Sequence, residues 1–492
     1  MPVLKKICAA LLLLPLAAAG FCTAVNIYHT GDTHGYYYAR PDGGGSFALL
    51  AAYLRAENAP CRLLLDSGDF TSGTYEAERT KGLLSVRLMN MLGYNAAAIG
   101  NHEGDFGRAV LEANIAAADF DMLAANMRGA GVPAKVQAYK IYEVCGKKIA
   151  VIGIAKDPML SSAGIKTGAD ITALKTALAA AKEQKPDAVI LLAHTSAEDE
   201  RDKKARNFAA AAAKAGGIDI MLGGHVHKIV QNKKIKNTVF VESGAELKGF
   251  SKVVLDFDDK NGRLASARSR YIELKAGKYA PDSAVAAYAA KFHAADLDKV
   301  LAKALKDIPN RPTGGLGDMD TPMGNLFTDI MRAQTGADIA LHGNLRAGIP
   351  KGPVTKRLLF EIYPFPSRII IVKTNGAFIK RFLLKTLKND RSQFSHSGLS
   401  VKYAFVNKKT RLLEVLINGK PLDDDKTYSV AVSDFTAGGQ GAAGYMFKRL
   451  PDKKNYGNKT LGGFFAEYFE RNPADIMPPQ TGRIQIVKET DK

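Results

Sequence analysis

Five short segments carry the side chains that could do chemistry in this 492-residue chain. They are Gly31-Asp32-Thr33-His34-Gly35, Ser67-Gly68-Asp69-Phe70, Gly100-Asn101-His102-Glu103, the lone His194, and Gly223-Gly224-His225-Val226-His227. Five of the nine histidines fall in them, a concentration that structural or solvated histidines do not require. Asp32 and His34 are two residues apart, as are His225 and His227, so on extended backbone each pair faces one side. Asp32, Asp69, Asn101, His34, His194, His225 and His227 form an oxygen and nitrogen donor set that suits borderline divalent ions such as Zn²⁺ or Mn²⁺, not Ca²⁺. Seven protein ligands exceed the needs of one tetrahedral ion. They fit two divalent metal ions about 3.5–4 Å apart, which would supply hydroxide for in-line attack on phosphorus. Each segment alone is more often a structural turn; five in series reverse that reading.

Each segment ends an apolar run that reads as a strand: 25–30, 61–67, 96–100, 187–194 and 218–224, with a further strand at 148–155. Several are apolar throughout, as strands covered on both faces must be. Gly82–Leu92, Ile171–Glu183 and Arg201–Ala215 read as helices between them. Ligands bind at such strand ends in α/β sheets, so five strand ends at one edge would build one site. Beyond Tyr271 the texture changes: residues 283–305 show helical spacing with no strand signal and read as a helical linker, 276–310. A second α/β segment follows over 311–486, with strands at 368–374 and 427–434.

At the N-terminus, Lys5 and Lys6 precede an apolar run from Ile7 to Phe21 that contains Pro15. The run falls short of the roughly 20 residues that span a bilayer, so residues 1–24 read as a signal peptide and the mature chain as secreted or periplasmic, with no transmembrane segment. Phe21 before Cys22 argues against a lipid anchor. Cys61 and Cys145 remain in the mature chain, and pairing between them is open. The net charge of +19 is spread along the chain. It is compatible with an anionic small molecule, and no basic block with interleaved aromatics points to a nucleic-acid polymer. Nothing in the chain speaks to the oligomeric state.

The series D-x-H, G-D, G-N-H-E, H, G-H-x-H resembles the calcineurin-like metallophosphatase superfamily, and the second half resembles the C-terminal domain of secreted bacterial 5′-nucleotidases. The resemblance implies a four-layer metallophosphatase β-sandwich flanked by helices over 25–275, followed by a second, substrate-binding α/β domain. It implies that Asp32, His34, Asp69 and His227 hold one ion, and that Asp69, Asn101, His194 and His225 hold the other, with Asp69 bridging. His102 and Asp105 match the catalytic dyad, in which His102 stabilises the transition state and Asp105 orients it. Glu103 receives no ligand role. Gly31 stands where the family commonly has Asn, a change expected to matter little.

In the second domain MGNLFTDIM, GADIALHGNLR, LLFEIYPF, SHSGLSVKY and DFTAGGQG carry the resemblance, and Phe365 and Phe435 match the two rings that sandwich a base. Arg346 matches a substrate contact. Gln440 replaces the carboxylate of the family's G-G-D-G, the loop His342-Gly343-Asn344-Leu345-Arg346 is shorter than the family's, and Gly317 occupies the place of an Arg, with Arg311 the nearest substitute. The implied function is a 5′-nucleotidase-type enzyme releasing phosphate from a small phosphorylated substrate, a nucleotide. Altered polar contacts leave a UDP-sugar or cyclic-nucleotide phosphodiesterase, or a sulfur-ester hydrolase, as alternatives on the same fold. A non-catalytic binding protein is the competing class.

Overall fold

The computed structural model describes residues 23–39, 43–156, 164–168, 171–200, 203–258, 260–313, 318–343, 345, 347–363, 365, 367–388, 392–441, 443–457 and 459–487. Two compact units emerge: Met1–Phe70 with Ser85–Ala287, and Thr71–Leu84 with Tyr288–Lys492. The signal peptide reading falls almost entirely outside the described residues.

The first unit contains β1 (Thr23–Thr30), β2 (Arg62–Asp66), β3 (Ala96–Ala98), β4 (Asp121–Leu123), β5 (Tyr139–Val144), β6 (Lys147–Ile154), β7 (Ala188–Ala193), β8 (Ile220–Gly223), β9 (Ile229–Ile235), β10 (Thr238–Ser243), β11 (Gly249–Phe257) and β12 (Leu264–Glu273). Among the described residues they form two six-stranded sheets, ordered β12-β11-β1-β2-β3-β4 and β5-β6-β7-β8-β10-β9. β1 to β4 are mutually parallel, as are β6, β7, β8 and β10, while β11, β12, β5 and β9 pair antiparallel at the flanks.

Alternate residues of both sheets meet in one core, including Val25, Ile27, Leu63, Leu65, Ile190, Leu192, Ile220 and Leu222. The residues between them on the second sheet, such as Ile152, Val189, Leu191 and Met221, pack instead with Leu174, Ala177, Phe208 and Ala212. Those four belong to the helices Ile171–Glu183 and Lys203–Ala215. On the first sheet Tyr28 and Phe250 face outward against Tyr53 of the helix Phe47–Glu57. Covering both faces explains why β7 and β8 read as unbroken apolar runs, and it gives the four layers expected. A Cys61–Cys145 disulfide, S–S 2.01 Å, joins the residue before β2 to the turn after β5.

The second unit contains a five-stranded sheet in the order Ser395–Ser397, Ile339–His342, Thr427–Ser433, Ile369–Asn375, Lys453–Tyr456. The helix Pro322–Thr335 begins with the Thr321 side chain accepting from the Gly324 amide and Pro322 in its first turn, and ends at Gly336 in the left-handed conformation. Helical spacing over 283–305 yields an α-helix at Ser283–Ala290 and a short 3-10 helix at Ala295–Asp298, whereas Val300–Ala304 is a strand paired antiparallel with Gly352–Thr355. Leu301, Ala302 and Ala304 are buried there, so long-range pairing overrides the helix propensity of an Ala- and Leu-rich stretch. The segment Thr71–Leu84 groups with this unit, where Glu76 is buried and ion-paired to Arg357 at 2.7 Å.

Candidate functional site

Asp32 and His34 follow β1, Asp69 follows β2, Asn101 and His102 follow β3, His194 follows β7, and His225 and His227 follow β8. All five strands run parallel to a neighbour, so their carboxyl ends bring the five segments to one edge of the sandwich. Two groups of ligand atoms converge there, Asp32 with His34 and His227, and Asp69 with His194 and His225. Within the first, the Nε2 atoms of His34 and His227 are 3.0 Å apart. Within the second, His194 Nε2 lies 3.0 Å from Asp69 Oδ2. Asn101 Oδ1 is buried and makes no hydrogen bond.

Backbone geometry aims these side chains. Asp32, His34, Asp69, His225 and His227 all have positive φ, between 49° and 88°. Such backbone costs on the order of 1–3 kcal/mol per residue and persists only where the surroundings over-determine it. Here the loops bind one another: the Asp32 amide donates to Gly68 O at 2.9 Å, the His34 amide to Asp69 O at 3.0 Å, the His102 amide to Asp69 Oδ1 at 2.9 Å. The His225 amide donates to both Asp32 oxygens at 3.1 and 2.9 Å. His194 Nδ1 donates to Ser67 O at 2.8 Å, which leaves Nε2 as the atom with a lone pair toward the site.

Glycines complete the fit. A Cβ on Gly100 would stand 2.1 Å from Asp69 Oδ1, and one on Gly224 would stand 2.9 Å from Asp32 Oδ2. Gly31 has a similar reason, since a Cβ there would lie 2.1 Å from Ser67 Oγ. A side chain at Gly31 would displace the Ser67 hydroxyl from its hydrogen bond to Gly223 O.

Glu103 has no ligand role by sequence, and the structure gives it a clear part. It is 1 % exposed; its Oε2 accepts from the amides of Asp69 (2.9 Å) and Gly100 (2.6 Å), and its Oε1 from that of Phe70 (2.9 Å). It orients the loops that carry Asp69 and Asn101. The available signal was an acidic residue three positions after a strand-end glycine, within reach of its own loop's amides.

The electrostatics favour added positive charge. Burial pushes the Asp32 carboxyl well up, with Asp69 and Glu242 adding to the rise. Burial also opposes charge on Asp69, but His194, His102 and His34 outweigh it and hold that carboxyl well below the usual range. Asp66, fully buried, is raised to about 7 by desolvation. His102 is raised to about 9: burial works against its charge, and Asp69 and Asp105 outweigh it. Its Nδ1 donates to Asp105 Oδ2 at 2.7 Å, and its ring stands edge-on to His34 at 5.3 Å. Buried carboxylates and converging imidazoles with an orphaned amide oxygen fit divalent cations in donor type and in charge.

In the second unit Phe435 lies on the helix Asp434–Ala437 and is 47 % exposed, while Gln440 is exposed and its backbone N–H donates to Phe435 O at 3.0 Å. Phe365 is half-buried against that unit's core, edge-on to Tyr363 at 5.3 Å. Arg346 and Gly317 lie outside the described residues.

Family models match twice: the calcineurin-like phosphoesterase over residues 25–229, and the 5′-nucleotidase C-terminal domain over residues 304–449. The chain joins a calcineurin-like phosphoesterase domain to a 5′-nucleotidase C-terminal domain. All seven candidate ligand positions, His102 and Asp105 fall within the phosphoesterase match; Phe365, Phe435 and Gln440 fall within the C-terminal match. The chain is similar to the trifunctional nucleotide phosphoesterase protein YfkN of Bacillus subtilis, 26 % identical over 94 % of this chain, and spans 35 % of that longer relative. It is also similar to protein UshA of Escherichia coli, 26 % identical over 88 % of each. Among solved structures, the 5′-nucleotidase precursor from Thermus thermophilus shares the fold, with a TM-score of 0.79 at 21 % identity over 95 % of this chain and all of that one. No helix among the described residues is long and apolar enough to cross a membrane.

Proposed function

We propose that this chain is a two-metal phosphoester hydrolase of the 5′-nucleotidase type, acting outside the cytoplasm and releasing phosphate from nucleotides. The observation that carries the reading is the convergence of Asp32, His34 and His227, and of Asp69, His194 and His225, at one strand-end edge within a matched phosphoesterase domain. Asp32, His34, Asp69 and His227 would hold one divalent ion, and Asp69, Asn101, His194 and His225 the other, with Zn²⁺ and Mn²⁺ both suited to the donors. When bound, the ions supply an activated water and positive charge for the phosphoryl oxygens. His102 sits beside this edge with Asp105 fixing its ring, placed to stabilise charge on the substrate and assist the leaving oxygen. The second unit offers Phe435, an exposed ring, as a stacking face for a base, with Phe365 and Arg346 as its partners in the reading. Export is supported by the N-terminal Lys5-Lys6 and apolar run and by the Cys61–Cys145 disulfide, which an oxidising compartment maintains.

The test is phosphate release from a panel of nucleoside monophosphates, UDP-sugars, cyclic nucleotides and an aryl phosphate, alongside elemental analysis. Metal-replete protein is expected to hydrolyse the aryl phosphate and at least one nucleotide, and Asp69→Ala to abolish both while losing metal. Undiminished turnover by Asp69→Ala would sink the assignment.

A further inference from the structure

Glu242 lies at the end of β10, fully buried, and stands outside both ligand groups. It pairs with Gly223 in the parallel β8–β10 ladder, so its side chain emerges beside the strand end that leads to His225 and His227. Its two oxygens face two loops. Oε2 accepts from Ser196 Oγ at 2.6 Å, and Oε1 accepts from the Lys228 amide at 3.2 Å; the Val226 amide is bonded to the same carboxylate. Ser196 stands two residues after His194 and also accepts from the Glu198 amide at 3.0 Å, so the hydroxyl closes its own loop as well. Val226 and Lys228 flank His227.

One carboxylate thus ties the loop after β7 to the loop after β8. The loop after β7 gives His194 to one ligand group, and the loop after β8 gives His225 to that same group and His227 to the other, so the tie holds His194 against a loop that reaches both groups. The second loop needs such a tie, because His225 and His227 hold φ of 88° and 62°, a conformation that non-glycine residues keep only under external constraint.

We propose that Glu242 is a positioning residue that sets the spacing between the two metal groups by clamping the His194 loop to the His227 loop. The inference rests on reading the two groups as a two-ion site. Partners that orient metal ligands are typically worth about 10–100-fold in metal affinity, which sets the size of the expected effect.

The experiment titrates Mn²⁺ into metal-free full-length protein by calorimetry and records the exchange-coupled electron paramagnetic resonance signal of the Mn²⁺ pair. Glu242→Ala is expected to weaken Mn²⁺ binding about tenfold or more and to change the coupling. Glu242→Gln is expected to stay near wild type, because its carbonyl still accepts from the Lys228 amide and the Ser196 hydroxyl can turn to accept from its NH₂. Ser196→Ala is expected to fall between them, and it carries the test if Glu242→Ala does not fold. Wild-type affinity and coupling in Glu242→Ala, or in Ser196→Ala where that variant decides, overturns the inference, even if the metal-free protein unfolds at a lower temperature. Wild-type protein that takes up no Mn²⁺ overturns the metal reading itself, and the inference with it.

Discussion

Glu103 and Glu242 are both buried carboxylates that support the ligands, and their partners make them chemically different. Glu103 collects three backbone N–H donors on two oxygens. Either orientation of an amide would aim an NH₂ at a backbone donor, so Glu103→Gln is expected to be nearly as harmful as Glu103→Ala. Each should cost at least about 2 kcal/mol through unsatisfied buried amides and lower bound metal. Thermal unfolding and elemental analysis check this; a Gln variant with wild-type stability and metal content would show that the carboxylate is dispensable. The contrast with Glu242→Gln separates a carboxylate held by three backbone donors from one whose partners include an adaptable hydroxyl.

At the scale of elements, the site depends on loops close enough to exchange hydrogen bonds. Gly100 follows β3, and a side chain there would collide with Asp69 Oδ1 at 2.1 Å and with the Asp69 amide at 2.6 Å. Because Asp69 also holds the His102 amide, the clash propagates through both loops. Gly100→Ala is therefore expected to lose metal and most turnover while keeping the sandwich. Gly168→Ala, where a Cβ meets nothing within 4 Å, should behave as wild type. Circular dichroism, metal content and phosphate release distinguish them; a fully active Gly100→Ala protein would mean the strand ends are looser than their packing indicates.

At the scale of the whole molecule, the second unit buries two histidines that fall outside the phosphoesterase match. His342 is packed against Phe327 and Tyr363 with Nδ1 donating to Gly343 O, and His396 lies near Asp320 and Arg483. Burial lowers both to about 4, against an ordinary value near 6.5. The unfolded chain takes up these protons as pH falls below 6.5, whereas the folded unit resists until about 4, so stability is full above 6.5 and declines between 6.5 and 4. Protection factors for the helix Pro322–Thr335, corrected for the intrinsic pH dependence of amide exchange, should fall across that window, and His396→Leu should flatten the change. Protection factors that stay constant from pH 6.5 to 4.5 would contradict it.

What was legible in the sequence followed from local rules. Apolar runs buried on both faces stand out as strands, hence β1, β2, β3, β6, β7 and β8 were readable, and the residues that follow them announced themselves by type. The flanking strands β9 and β12 were not, because IVQNKKI and LASARSRYIE are polar and half-exposed and lack the apolar run that marks a buried strand. Residues 300–304 were misread for a different reason: their strand is decided by pairing with Gly352–Thr355, distant in the chain. By itself the sequence determined which donor types the site contains and that they follow strands. Only the tertiary structure decided that their atoms converge in two groups, that Gly31 packs against the Ser67 hydroxyl, and that Glu103 and Glu242 brace the loops. The physical reason is that hydrogen bonds and close contacts between chain-distant strand ends leave no periodicity in the chain, whereas burial does.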